Sequence, residues 1–512
     1  MPQDLSPYVS DKRFFGHPRG LATLFFTEMW ERFSYYGLRP LLILFMTAAL
    51  LDGGFGFDRP AASAIVGIYA ASIYLASLPG GWIADRLLGL RRAILIGAML
   101  ITSGHLSIGL SGFAPAAIGK PIFFLGLILI VLGTGLLKPN ISAIVGDLYP
   151  EGGARRDAGF SIFYMGINSG AFLGQLVTGF LGERVGWHWG FGAAGFGMFL
   201  GLVVFWLRAK PTLGPIGEEI VRAADPAAQA RSESSVRRWV LVGLTALALV
   251  FVLTSVGVIA IDPQTVGRWM TAVLVGIAVA FFAYVFAAGG LNLDEKKRVG
   301  VIFVLFIFAA IFWAAFEQAP TSLNLFANDF TDRSIFGWQM PATWFQSINS
   351  FFVIIFAPVF AWLWVSMARR GFELSSPTKF ALGLGLAGVG FLLMVFAARA
   401  VVASGGTILV SPWWLIGSYF FQTLGELCLS PVGLSSMTKL APRQYVGQMM
   451  GIWFLATSVG NLIAGLVGGH IDPNQLDQTP VVFTGTAIAL FVATLVLVAM
   501  IVPIRRMMAG VK

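Results

Sequence analysis

Apolar runs long enough to cross a bilayer recur along almost the entire chain, and they leave few folds open. Fourteen can be marked, each bounded by glycine, proline or charges: near 21–50, 62–84, 93–113, 121–147, 159–181, 188–208, 238–260, 269–289, 299–327, 342–368, 379–400, 412–440, 444–469 and 481–504. A helix needs about 20 apolar residues to span the hydrocarbon layer. Only a helix or a closed barrel satisfies its backbone polar groups there, and these runs lack the alternation of strands. Composition agrees. Of 512 residues, 57% are hydrophobic and 12% charged, about half the charged share of a soluble domain. The reading is an all-α polytopic membrane protein with fourteen spans, which excludes a water-soluble enzyme.

The spans group as six, two and six. The Pro/Ala/charge-rich stretch 210–238 breaks the chain after the sixth, and DEKKR at 294–298 closes the middle pair. The expected organisation is an N-terminal six-helix bundle (1–210), a linker with two inserted helices (211–298) and a C-terminal six-helix bundle (299–512). With the N-terminus placed in the cytoplasm, 25 Lys and Arg fall in cytoplasmic segments. Six (Arg59, Lys120, Arg184, Arg268, Arg333 and Arg399) fall on the other side. That bias satisfies the positive-inside rule, so both termini are expected in the cytoplasm of a cell inner (plasma) membrane protein. The net charge of +9 thus reports topology, and no nucleic-acid partner is expected. No signal-peptide pattern precedes the first span, which is expected to serve as an uncleaved insertion signal. One cysteine, Cys428, and four histidines offer no disulfide framework, metal cage or cofactor site.

Seven charges fall inside spans: Glu28, Glu31, Arg32, Arg39, Lys138, Glu317 and Glu426. Each costs ~2.5–3.5 kcal/mol on insertion scales, so together they mark an ion or substrate path. The first span carries the densest group. At about 100° per residue, and relative to Glu28, Glu31 lies near −60°, Arg32 near +40°, Tyr35 near −20°, Tyr36 near +80° and Arg39 near +20°. All six share one arc while Trp30 and Phe33 point away, an arrangement suited to a wet bundle interior. Two carboxylates beside one guanidinium change net charge by one on taking a proton, so Glu28, Glu31 and Arg32 are candidates for proton coupling.

These residues also carry a resemblance. ExxERFSYYG at Glu28–Gly37 resembles the first-helix signature of the bacterial proton-dependent oligopeptide transporters (POT), a branch of the major facilitator superfamily. FSIFYMGINSGAFLG at Phe160–Gly174 is similar to that family's fifth-helix signature, and GWxADRxxGxRR at Gly81–Arg92 to the superfamily's loop motif. GTGLLKPN (Gly133–Asn140), FWAAFEQ (Phe312–Gln318), WFQSIN (Trp344–Asn349), GELCLSPVGLS (Gly425–Ser435) and GIWFLATS (Gly451–Ser458) resemble further family segments in order. The likeness covers nearly the whole chain.

The resemblance implies a major facilitator fold and proton-coupled import of di- and tripeptides, with the proton as coupling ion and no other cofactor. It places Arg39 and Lys138 on the basic side of a pocket and Glu426 on its acidic side, facing the peptide amine. Lys138 and Glu426 are also implied in an inner gate, and Glu317 in a wall contact near Arg39 and in proton coupling. Asn168 and Asn349 are implied to bond the peptide backbone, and Tyr35, Tyr36, Tyr74, Trp313 and Trp453 to form pocket walls. Asp85 and Arg86 are read as a conformational latch, whereas Arg91 and Arg92 serve about equally well as positive-inside anchors. Beyond peptides, protons and lipid no partner is expected, and the chain is expected to work as a monomer.

One departure stands out: no histidine occurs between Pro60 and Arg86, where some animal members carry one, and Gly67 or its neighbours fill that stretch. Coupling is therefore expected to rest on carboxylates. Three alternatives stay open. The same fold can carry nitrate, sugars or drugs, although Glu426 would have no amine to pair with in a nitrate carrier. A nutrient sensor is expected to carry a soluble domain or long tail, yet about eight residues follow the last span. An enzyme would need a nucleophile–base pair or metal cage at membrane depth.

Overall fold

A computed structural model describes residues 5–220, 225–372 and 374–508; Arg222 and Lys512, two of the basic residues counted as cytoplasmic, lie outside them. In chain order the helices are α1 (Ser6–Val9), α2 (Arg19–Thr47), α3 (Arg59–Ile83), α4 (Leu90–Ser111), α5 (Ala116–Asp147), α6 (Gly153–Arg184), α7 (Trp187–Leu213) and α8 (Pro226–Ser255). They continue with α9 (Pro263–Ala288), α10 (Leu293–Phe316), α11 (Asn324–Phe330), α12 (Trp344–Arg369), α13 (Ser376–Ala403), α14 (Trp413–Leu440), α15 (Val446–Gly468) and α16 (Gln478–Met507). A two-residue antiparallel pair, Ser334–Ile335 with Trp338–Gln339, lies between α11 and α12, and short 3-10 and π turns join several of the helices.

Every apolar run marked in the sequence overlaps one of the long helices, and the run 299–327 continues past α10 through a π turn at Ala319–Leu323 into α11. Twelve helical stretches among the described residues are long and apolar enough to cross a membrane. Helices α2 and α14 fall outside that set. The first carries Arg19, Glu28, Glu31, Arg32 and Arg39, and the second Gln422, Glu426 and Lys439. Length and apolarity thus support twelve crossings, and a full count of fourteen is not confirmed by them.

The stretch read as a linker from Lys210 to Arg238 is largely helical. Helix α7 runs on to Leu213, and α8 begins at Pro226. The Asp225 side chain accepts from the Ala227 amide at 2.9 Å, and the Ala/Gln/Arg/Ser/Glu sequence that follows suits a helix. Charge made this segment look like a loop, although it extends the span beyond the apolar run.

By contact the chain divides into two compact units. One comprises Met1–Leu41 and Ser72–Asp262, the other Leu42–Ala71 and Pro263–Lys512. The divisions fall inside α2, inside α3 and between α8 and α9.

In the first unit α4 packs on α5 and α7, and α6 on α7. The α6 signature does its structural part through Gly166, Gly170 and Gly174. A Cβ at these positions would run into the Phe25 ring, the Met29 carbonyl and the Phe33 carbonyl of α2. Small residues four apart let two membrane helices approach backbone to backbone, and here they bring α2 against α6. The start of α2 is tied down by Arg19 to Asp11 at 2.9 Å, and Arg155 donates to the Val9 and Asp11 carbonyls at 3.1 and 3.0 Å. The guanidinium of Arg13, then that of Arg19, holds the Asp11 carboxyl well below the usual carboxylate range.

In the second unit α13 packs on α14 and α16, and α10 on α15. The first half of α3 lies against α15 through Gly67 and Gly465. A Cβ on Gly67 would stand 2.7 Å from the Asn461 carbonyl oxygen and 2.8 Å from Gly465 Cα. At Gly67, one of the residues of the stretch that lacks a histidine, no side chain fits between the two backbones. Gly67→Val should therefore lower the melting temperature in detergent, by an overpacking cost of about 1–3 kcal/mol or more. Gly192→Ala, whose Cβ meets nothing within 4 Å, should leave it unchanged. Equal melting curves for both variants would contradict the packing.

Candidate functional site

The polar arc of α2 is one buried cluster. Arg32 Nε lies 2.8 Å from Glu28 Oε1 and 2.7 Å from Glu31 Oε2, and all three side chains are at most 4% exposed. One nitrogen is thus shared by two acids, one a turn below it and one adjacent in sequence. The single Nε–H donates to Glu28 Oε1 and meets Glu31 as an ion pair, so Glu28 Oε2, both Glu31 carboxylate oxygens and Arg32 Nη2 have no hydrogen-bond partner among the described residues. A carboxylate oxygen in that position can take a proton without first giving up another donor.

The other candidates of the first unit extend from this cluster. The Tyr35 ring has Arg32 Cζ at 5.7 Å and Arg39 Cζ at 5.9 Å from its centroid, and it meets Tyr36 edge-on at 4.9 Å. Lys138 Nζ sits 3.8 Å from the centre of the Tyr74 ring, a cation–π contact that holds an ammonium at membrane depth. Lys138 interacts electrostatically with Glu31, and Tyr36 and Tyr74 with Arg32. Eight sequence candidates from three helices therefore share one field. Beside Lys138, the Asn140 side chain donates back to the Leu136 carbonyl at 2.6 Å, which helps hold α5 helical around Pro139. Asn168 is buried and donates to the Tyr164 carbonyl of its own helix at 3.0 Å, so one of its two N–H groups is already occupied.

In the second unit Asn349 Nδ2 donates to Thr423 Oγ1 at 2.9 Å and to Glu426 Oε2 at 3.2 Å. Glu317, buried at the C-terminal end of α10, acts electrostatically on Glu426. Trp313 is buried beside it, with Gly460 of α15 beneath its Cβ. Trp453 is 5% exposed. Its ring lies over Gly433 of α14 and meets Phe380 edge-on at 6.4 Å, so most of its surface is spent on packing within the unit. Of the pairs the sequence reading set together, Arg39 with Glu317 and Lys138 with Glu426 each draw one member from either unit.

The loop-motif residues read as a latch stand at the end of α3. Asp85 and Arg86 lie on a wide π turn, Ala84–Leu88. Arg86 reaches Ser232 Oγ of α8 at 3.3 Å and stands 6.0 Å over Trp82, while Asp85 is exposed and forms no ion pair among the described residues. The motif residue that is held is Arg91. Its Nη1 donates to the Gly214 carbonyl at 2.5 Å and to Glu218 at 2.6 Å, and its backbone N–H donates to the Gly217 carbonyl at 2.9 Å.

Sequence reasoning missed Glu218, Thr423 and one further tie. Arg59, counted only as a charge outside the cytoplasm, lies 2.5 Å from Asp329 and donates to the Ile471 carbonyl at 2.8 Å. Nothing in the spacing announced these pairs, whose members stand 74, 127 and 270 residues apart for Asn349–Thr423, Arg91–Glu218 and Arg59–Asp329. Among the described residues no three His, Cys, Asp or Glu side chains gather where a metal could be held.

Known proteins share this architecture. The profile of the POT family (PTR2) matches residues 91–481. Peptide transporter YePEPT of Yersinia enterocolitica subsp. palearctica is 50% identical across 97% of this chain and 96% of its own. The di-/tripeptide transporter of Lactococcus lactis subsp. lactis is 36% identical across 98% and 99%. A crystal structure of peptide transporter POT in complex with sulfate superposes with a TM-score of 0.88 at 40% identity, covering 99% of this chain and 100% of that one.

Arg91 and Arg92 of the loop motif should separate on substitution. Arg91→Ala removes charged hydrogen bonds to a partly exposed partner, a loss of about 1–2 kcal/mol, and should lower the thermal midpoint by several degrees. Arg92→Ala should leave it within error. The reverse order in a melting assay would remove Arg91 from its structural role.

Proposed function

The chain belongs to the POT family, and on that premise we propose that it is a proton-coupled symporter that carries di- and tripeptides into the cell. It is a multi-pass membrane protein with the major facilitator fold of its solved relatives, a carrier and not an enzyme. The relatives' names supply the cargo: peptides for the Yersinia protein and di- and tripeptides for the Lactococcus one. The observation that carries the coupling is the buried group in which Arg32 is shared by Glu28 and Glu31.

The chemistry divides in two. Arg39 and Lys138 supply fixed positive charge for the peptide carboxylate, and Glu426 supplies an acceptor for its amine. A charge-assisted hydrogen bond at each end selects a free zwitterion while leaving side chains unread, which suits varied cargo. Glu426 is also what disfavours a small anion as cargo, because an anion brings no donor to it. Protonation of Glu28 or Glu31 releases Arg32 from one of its two acids and so changes which charges the cluster must balance. Coupling requires only that this proton be bound more tightly in one facing state than in the other. The proton is the only coupling ion invoked, and Glu317, which acts on Glu426, is assigned to the same network. We place the protein in the cell inner membrane with both termini cytoplasmic, on the 25-to-6 distribution of basic residues, and take it to work as a monomer.

Purified protein in liposomes should accumulate a labelled dipeptide when the lumen is made alkaline. A protonophore should collapse that gradient, and unlabelled di- and tripeptides, but not nitrate or free sugars, should compete. Accumulation that ignores the protonophore would remove the coupling, and competition by nitrate alone would change the cargo.

A further inference from the structure

We infer that Thr423 is a specificity-determining positioning residue. It fixes the rotation of the Asn349 amide, so that beside Glu426 a peptide amine meets acceptors only. The inference rests on the reading of the chain as a peptide carrier and deepens it.

The hydrogen bonds around Thr423 run in one direction. Its hydroxyl donates to the Tyr419 carbonyl, one turn back on α14, at 2.7 Å. A hydroxyl has a single hydrogen to give. Toward Asn349, 2.9 Å away, Thr423 Oγ1 can therefore only accept, and the amide must present its NH2 group. The second hydrogen of that NH2 goes to Glu426 Oε2 at 3.2 Å. Both donors of Asn349 are consumed, and its Oδ1 accepts no hydrogen bond from the described residues. Turned over, the amide would set its carbonyl against the Thr423 lone pairs and the Glu426 carboxylate, two repulsive contacts in place of two bonds. Thr423 is fully buried, whereas Asn349 and Glu426 are half-buried. The orienting group is thus hidden and the oriented groups are accessible.

The reading of Asn349 changes accordingly. The resemblance implied only that Asn349 bonds the peptide backbone. With its donors occupied it is an acceptor, and with Glu426 it forms an all-acceptor wall. An ammonium brings three N–H donors to such a wall and no acceptor. An acylated amine brings one donor and a carbonyl that finds no partner. Discrimination against blocked peptides therefore depends on the orientation of Asn349 as well as on the charge of Glu426, and Thr423 sets that orientation without touching the peptide.

The test is transport in liposomes by wild type, Thr423→Val and Thr423→Ser, with a free dipeptide and its N-acetyl form. Thr423→Val keeps the shape and removes the acceptor. The KM for the free dipeptide should rise roughly three- to tenfold, the worth of one net hydrogen bond, at nearly constant maximal rate. The N-acetyl peptide should be affected less, so that the preference for a free amine shrinks. Thr423→Ser, which keeps the hydroxyl, should restore wild-type discrimination. Thr423→Ala carries the same test should the valine variant not fold. A Thr423→Val protein that discriminates as wild type does would overturn the inference, as would equal loss for both peptides with no rescue by serine. The underlying reading fails separately, if wild-type protein carries neither peptide or Glu426→Gln leaves discrimination intact.

Discussion

One nitrogen of Arg32 held between two buried carboxylates is the interaction on which the rest of the account depends. Charges at that depth are costly to insert, and removing one partner of a buried pair typically costs ~3–5 kcal/mol. A cluster of two acids and one base also cannot be neutral with all three groups ionised. Something with a positive charge must enter or leave for the balance to shift. The glycines of α6 make the arrangement possible by letting α2 approach until its backbone lies in the groove they leave. The fifth-helix signature and the first-helix signature are therefore two halves of one contact.

Much of this was legible in the sequence. Bilayer-length apolar runs gave the helices, because the hydrocarbon layer admits no other open-chain structure. The 100° spacing gathered Glu28, Glu31, Arg32, Tyr35, Tyr36 and Arg39 on one face, and all six meet in the cluster or around the Tyr35 ring. Local periodicity suffices there since all six stand on one helix. The helical turns of α8 before its apolar run were not legible, for the opposite reason. Its first turns are polar and charged, and hydropathy alone does not separate a solvated helical extension from a loop.

What was not legible depends on contacts across many residues. No pattern links Arg91 to Glu218 or Arg59 to Asp329, and each pair forms only once helices have packed. Gly67 was noticed as the occupant of a position where relatives differ, yet its reason lies in the Asn461 carbonyl on the facing helix. Thr423 shows a further limit. Residue identity places an amide beside a carboxylate, but the direction of the hydrogen bonds, and hence what the amide can offer a ligand, follows from which carbonyl the threonine has already engaged.

The proposed coupling requires Glu28 and Glu31 to exchange a proton with the aqueous phases around Arg32. The most direct measurement compares two modes of transport in Glu28→Gln and Glu31→Gln proteins reconstituted in liposomes. One is uphill accumulation of labelled dipeptide driven by a proton gradient, the other gradient-free exchange of labelled for unlabelled dipeptide. Glutamine resembles a protonated carboxyl that has nothing to release. The account predicts that accumulation is abolished while exchange, which needs no net proton cycle, persists at least in part. Undiminished accumulation in both variants would contradict it and move the coupling to Glu317 or Glu426, and loss of exchange together with accumulation would leave the cluster a structural one.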